Sequence, residues 1–151
     1  MKKIYNRRYM GGKNKIIPHI INIINNLNIE FSTFYEPFGG TGVVSYELAK
    51  KFELKTVYIN DFLSSNFIIY NAVFGHRKCD YNKLNNLIKA FNSNDYFDNY
   101  FVSNFGNKFF SNETADKIGG IRQKIQEFYD KKEINYYEFC SLITSLIYFY
   151  G

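Results

Sequence analysis

The 151 residues include two prolines, two cysteines and no tryptophan. Each scarcity excludes something. Cys79 and Cys140 stand far apart, with neither a CxxC pair nor Cys/His spacing. That argues against a disulfide framework and against a zinc site, and makes a reducing cytoplasm the expected setting. Pro18 and Pro37 are not adjacent, so no motif built on a proline pair is present. Long uninterrupted apolar runs are also missing. "IIPHIINIINNLNI" (16–29) is broken by Asn and His, and "SLITSLIYFY" (141–150) is about half of a membrane span. The leading "MKKIYNRRYM" lacks the apolar core and small-residue cleavage site of a signal peptide. No membrane segment is expected. Only two histidines occur, His19 in an apolar stretch and His76 beside Arg77 and Lys78. Neither has a Ser or Cys partner at a recognisable catalytic spacing. No repeat of 20–50 residues is apparent.

What is abundant is Phe and Tyr, which bring the aromatic fraction to 20%. Asn, Ile and Lys are also plentiful. These residues share A/T-rich codons, so genomic base bias accounts for much of the composition. The net charge of +5 and pI near 9.1 are compatible with binding nucleic acid. A lysine-rich proteome would give the same values. Hydrophobic residues at 46% and charged residues at 22% are ordinary for a soluble globular protein. The length suits one domain, with a core that buries roughly 70% of the unfolded surface.

Periodicity divides the chain into two characters. Ile16, Ile17, Ile20, Ile21, Ile23, Ile24 and Leu27 recur at helical spacing, with Pro18 in the first turn. "FSTFYEP" (31–37) is a short aromatic strand that Pro37 stops, followed by a glycine turn and a helix at about 43–52. "KTVYIND" (55–61) is a second strand with Val57 and Ile59 on one face. Ser64 or Ser65 is positioned to cap a helix that Gly75 ends. The centre therefore reads β-α-β-α with the short connections of a parallel α/β unit. After Gly75, Leu84, Leu87, Ile88 and Phe91 mark a helix, and residues 92–112 read as a loop or short irregular pieces. "NETADKIGGIRQKIQEFYDKK" is a helix weakened by Gly119-Gly120. In the last helix, Asn135 and Glu138 resemble a capping box. Phe139, Leu142, Ile143, Leu146, Ile147 and Tyr150 follow as a stripe that should be buried.

The chemistry concentrates at "EPFGGTG" (36–42). A glycine turn between strand and helix lets a ligand approach the backbone, where free N–H groups and a partial positive charge await it. The pattern is not a P-loop, because no Lys follows Gly42, and not a full G-x-G-x-x-G. It is F-x-G-x-G: Phe38, Gly40, Gly42. By itself it also fits a plain strand–helix connection. Asp61 lies 19 positions after Gly42 at the end of the second strand. An acidic residue there can accept hydrogen bonds from ribose hydroxyls. It can equally cap the helix that follows. "RRYMGGKNKIIPHI" (7–20) sets an aromatic, two glycines and a lysine before a helix, which alone would be a basic surface turn.

In this order the three motifs resemble the D12 (Dam-like) class of adenine-specific DNA methyltransferases, and the resemblance covers nearly the whole chain. It implies an α/β fold: a partial Rossmann-like, S-adenosylmethionine-dependent methyltransferase fold with a helical C-terminal region. Residues 1–75 would form the cofactor-binding β-α-β-α part. Residues 76–151 would form a helical region at the start of the target-recognition part. By matching position, Tyr9, Gly12 and Lys13 carry the first motif, Phe38, Gly40 and Gly42 the second, and Asp61 the third. Tyr9, Phe38 and the glycines would shape the S-adenosylmethionine pocket and Asp61 would hold the ribose. Lys13 would lie near the methionine end or the target base. Double-stranded DNA is the implied partner, with Arg7, Arg8 and Lys3 reaching phosphates or forming a solvated basic tail.

The family's methyl transfer also needs [D/N/S]-P-P-[Y/F/W], whose acceptors orient the flipped adenine's amino group for attack. The 151 residues contain no such motif. Glu36-Pro37-Phe38 does not substitute for it, since it stands where the cofactor binds. The chain is therefore expected to be inactive alone: a truncated gene, one part of a split enzyme needing a second chain, or a partial reading frame. The alternative is a non-catalytic module that binds S-adenosylmethionine or DNA. Two strands are too few for a stable open sheet, so exposed apolar surface is also expected.

Overall fold

The computed structural model describes residues 12–93 and 96–150. A 3₁₀ turn, Lys13–Ile16, leads into α1 (Ile17–Leu27). Then come β1 (Thr33–Glu36), α2 (Val43–Lys51), β2 (Thr56–Ile59) and α3 (Ser64–Phe74). A second 3₁₀ turn, His76–Lys78, precedes α4 (Tyr81–Ser93), α5 (Asn99–Phe105), α6 (Asn112–Asp130) and α7 (Tyr136–Tyr150). The result is a mixed α/β chain, mostly helical, with one small parallel sheet. It separates into two compact units, the first ending at Tyr70 and the second beginning at Asn71, so the division falls within α3.

The first unit is built on the strand pair. β1 and β2 run parallel with Thr33 opposite Thr56 and Glu36 opposite Ile59. The ladder extends past the strands, because Asn60 N–H donates to the Glu36 carbonyl and Gly39 N–H donates to the Asn60 carbonyl. Both strands therefore end at the same level, beneath the glycine turn. α1 and α2 cover one side: Ile17, Val43, Val44 and Leu48 are buried, with Ile20, Ile21, Ile24 and Phe34 packed on them. Pro18 sits in the first turn of α1, where its missing N–H costs nothing. The expected apolar excess is visible. Ile16, Ile23 and Leu27 stay about half exposed beside the packed row of α1, and Tyr35 stacks on Tyr58 at 4.4 Å on an exposed face of the sheet.

The start of α3 corrects one expectation. Neither Ser64 nor Ser65 caps it. Ser64 is already helical, the Leu63 carbonyl accepts from Asn66 and Phe67 N–H, and Asp61 accepts from Leu63 N–H.

The second unit is helical, around Leu84, Phe91, Ile121, Ile125, Ile134 and Leu142. Asn135 and Glu138 form the expected capping box. Asn135 Oδ1 accepts from Tyr137 and Glu138 N–H, and Glu138 Oε2 accepts from Asn135 N–H. Glu138 does more than cap its own helix. Its carboxylate also accepts from Asp80 N–H, just before α4, and from Lys83. One buried acid thus ties the starts of α4 and α7 together. Those bonds hold its pKa below the ordinary value, although burial is the largest single influence and pushes the other way. Leu142 is buried in the apolar stripe of α7, with Phe139, Ile143 and Leu146 packed around the same core. The side chain of Tyr150 lies outside those described.

Two further expectations need revising. Residues 92–112 are not simply irregular: Ser93 still belongs to α4, and Asn99–Phe105 form α5, capped by Asp98, which accepts from Phe101 N–H. Asn- and Asp-rich sequence hid this short helix because those residues favour caps and turns as much as helix interiors. Nor do Gly119 and Gly120 interrupt α6, which runs unbroken for 19 residues. Both glycines are buried, and a Cβ on either would overlap Asp98 or Tyr96. Their intrinsic helix cost is accepted because the segment 96–98 packs directly against the helix backbone there. Gly120→Ala should therefore destabilise by about 1–3 kcal/mol, the reverse of the usual helix gain from Gly to Ala. Urea unfolding monitored by circular dichroism measures the difference.

Candidate functional site

The site forms where both strands end. Gly40 and Gly42 have φ of +56° and +73°, the left-handed region that side chains other than glycine rarely adopt. Gly42 is the N-cap of α2. Gly39 is needed for space instead: a Cβ there would meet the Tyr70 hydroxyl at 2.6 Å. Gly40 differs from its neighbours in that a Cβ on it would meet nothing within 4 Å. The turn presents its backbone to open space at that residue.

Two carboxylates organise this turn. Asp61, beyond the end of β2, accepts from Gly40 N–H at 2.7 Å, Leu63 N–H at 2.9 Å and Asn66 Nδ2 at 2.8 Å. These bonds, first that from Leu63, hold the Asp61 carboxyl below its ordinary pKa, with Lys13 adding to the effect against some desolvation. Asp61 is therefore charged at neutral pH. Asp61 secures the start of α3 and also reaches into the glycine turn. An ionised carboxylate has about four acceptor positions, so three protein donors leave room for one more.

Glu36 is the second, and only 6% of it is exposed. Oε2 accepts from the backbone N–H of Ser45 at 3.0 Å and from the Ser45 hydroxyl, and Oε1 accepts from Lys13 Nζ at 3.0 Å. A negative charge here faces the first turn of α2, where the helix dipole favours it. Lys13 Nζ also donates to the Phe38 carbonyl at 2.8 Å. The lysine ahead of α1 is thereby docked on the turn between β1 and α2.

The structure thus brings Lys13, Phe38, Gly40, Gly42 and Asp61 together, from positions up to 48 residues apart in the sequence. Gly12 precedes Lys13 and is exposed, with a φ of −55° that any residue can adopt. Phe38 is 82% exposed, so only its carbonyl is engaged. Tyr9, Arg7, Arg8 and Lys3 lie outside the described residues. Glu36, Ser45 and Tyr70 were not singled out from the sequence. An acid at a strand end directly before a glycine turn was the available signal for Glu36. Tyr70 was masked by the apolar run "NFIIYNAVF", where it reads as core. Among the described residues no cluster of His, Cys, Asp and Glu could hold a metal. No helix among them is long and apolar enough to cross a membrane.

The bonds of Glu36 to Lys13 and to Ser45 differ in environment. Lys13 is more than a third exposed, so its ion pair is screened by solvent. The bonds to Ser45 are buried. Lys13→Met should lower stability by under about 1 kcal/mol, and Glu36→Gln by about 2 kcal/mol, because an amide cannot accept at both positions. Chemical denaturation of the two variants compares the costs directly.

The sequence comparisons bear on this geometry. No solved structure matches the chain. The modification methylase LlaI of Lactococcus lactis subsp. lactis is 27% identical over 155 residues, an alignment covering 93% of this chain and 24% of that protein. The chain thus spans about a quarter of that relative's length. The family described as D12 class N6 adenine-specific DNA methyltransferase, whose members use S-adenosylmethionine, matches residues 9–151. A match over that span shows that the chain belongs to the D12 class of N6 adenine-specific DNA methyltransferases.

Proposed function

We propose that this chain is the S-adenosylmethionine-binding part of a DNA adenine-N6 methyltransferase, and that methyl transfer needs residues it does not contain. The observation that carries this reading is the bond from Gly40 N–H to Asp61 at the carboxyl ends of two parallel strands. Ligands of open α/β sheets bind at such ends, which supports reading the complete enzyme as Rossmann-like. We assign residues 1–75 to the cofactor-binding β-α-β-α part and 76–151 to a helical region that opens the target-recognition part.

The residues fit the cofactor. Gly40 leaves open the space that a side chain would fill, so a ligand can lie against the backbone. Asp61 retains acceptor capacity for a ribose hydroxyl. The exposed ring of Phe38 offers a flat apolar face to an adenine or to the methionine chain. Lys13, held by Glu36 and the Phe38 carbonyl, bears its charge at the rim of the turn, and Gly12 precedes it. The cofactor supplies an electrophilic sulfonium methyl group. The protein's part in this chain is to bind and orient it. The acceptor motif that would prepare an adenine amino group is absent from the sequence, so a second polypeptide, or further residues of the same one, would have to supply it. Double-stranded DNA is the substrate of the complete enzyme in this reading. A cytoplasmic setting belongs to the same reading.

Calorimetric titration of the purified chain with S-adenosylmethionine should give saturable binding. Asp61→Ala should weaken it at least tenfold, the loss of a charged hydrogen bond and of the Gly40 contact together. A chain that bound DNA but ignored the cofactor would support a DNA-binding module instead. Incubation with methyl-labelled cofactor and adenine-containing duplex DNA should transfer no label, and incorporated label would overturn the catalytic part of the proposal.

A further inference from the structure

Gly40 is gripped through both of the peptide units that meet at its Cα. Its N–H is held by Asp61 at 2.7 Å, and its carbonyl accepts from the Tyr70 hydroxyl, also at 2.7 Å. Tyr70 lies in the second turn of α3 and is 7% exposed. Its ring fills the space beneath the turn. A Cβ on Gly42 would meet Tyr70 Cε1 at 2.8 Å, and one on Gly39 would meet its hydroxyl at 2.6 Å. The two glycines that flank Gly40 therefore leave room for the same aromatic ring.

From this geometry we infer that Tyr70 is a positioning residue for the cofactor turn. The ring sets the height of the backbone over α3. The hydroxyl fixes the Gly40–Thr41 peptide and Asp61 fixes the Gly39–Gly40 peptide, so the two bonds together hold Gly40 in its left-handed conformation. Without the hydroxyl, the carbonyl has no fixed donor on that side and the peptide can rotate. Gly40 can then leave the left-handed region, which loosens the turn on which its N–H bond to Asp61 and the alignment of the ribose acceptor depend. Tyr70 touches no ligand in this arrangement and acts through Gly40. The inference rests on reading the glycine turn as the cofactor site.

Tyr70→Phe keeps the ring and removes only the hydroxyl, so the test uses the full chain with this substitution. Two measurements separate the possibilities. Hydrogen exchange followed by NMR, with no cofactor present, reads the turn itself. The Gly40 amide should exchange roughly three- to tenfold faster in the variant, the equivalent of one lost hydrogen bond. The Leu48 amide in α2 should be unchanged. Equal rates at Gly40, or a uniform acceleration of the whole unit, would overturn the positioning role and leave Tyr70 as core packing. Titration with S-adenosylmethionine reads the consequence. Affinity should fall roughly three- to tenfold while the thermal transition keeps its cooperativity. A variant that binds the cofactor as tightly as the wild type sinks the assignment of Tyr70 alone. A wild-type chain that binds none sinks the cofactor reading, and the positioning role with it.

Discussion

The organisation of the first unit depends on one hydrogen bond between distant parts of the chain. Gly40 N–H donates to Asp61, joining the turn after the first strand to the end of the second. Everything around it serves to keep those two atoms in place. The parallel ladder runs on through Asn60 and Gly39 and brings the strand ends level. Leu63 and Asn66 hold the carboxylate in its rotamer, and Tyr70 holds the peptide that follows Gly40. A small sheet of two strands has little packing of its own. Directional polar contacts supply the definition that a wide sheet would get from its neighbours.

Glu36 applies the same logic on the other side of the turn. It is a buried acid whose bonds face a helix N-terminus and a lysine, so its charge is compensated by the dipole of α2, by the Ser45 hydroxyl and by Lys13. Glu138 in the second unit repeats the device, joining two helix starts to one lysine. In each case a single carboxylate accepts from groups that are remote in sequence. These acids are the points at which helices and strands are pinned to one another.

Much of this was legible beforehand, and the limits are physical. The eight elements with strong periodicity or clear punctuation were recovered within a few residues: α1, β1, α2, β2, α3, α4, α6 and α7. The positive φ of Gly40 and Gly42 agrees with a turn that only glycine tolerates. The capping box at Asn135 was visible because its partners are three residues apart. Of the caps offered for α3, neither serine serves, and Asp61, three residues before the helix, takes the Leu63 N–H instead. α5 was missed because its sequence is dominated by residues that serve turns as readily as helices. The roles of Gly119 and Gly120 could not be read at all, since they depend on Asp98 and Tyr96 arriving from elsewhere.

What the sequence determined by itself is local in nature: which stretches alternate or repeat at 3.6, where glycine is obligatory, and which ordered set of motifs the chain shares with a methyltransferase family. Short-range sterics and hydrophobic periodicity act over a few residues and leave their mark in the order of the letters. What the tertiary structure decided is which of those letters meet. Lys13 is docked on the Phe38 carbonyl, Asp61 serves the helix start and the glycine turn at once, and an apparently ordinary core tyrosine braces the Gly40 peptide. Such meetings span 20 to 30 residues of chain. They arise only when strands pair in one register and close the distance, which no local pattern encodes.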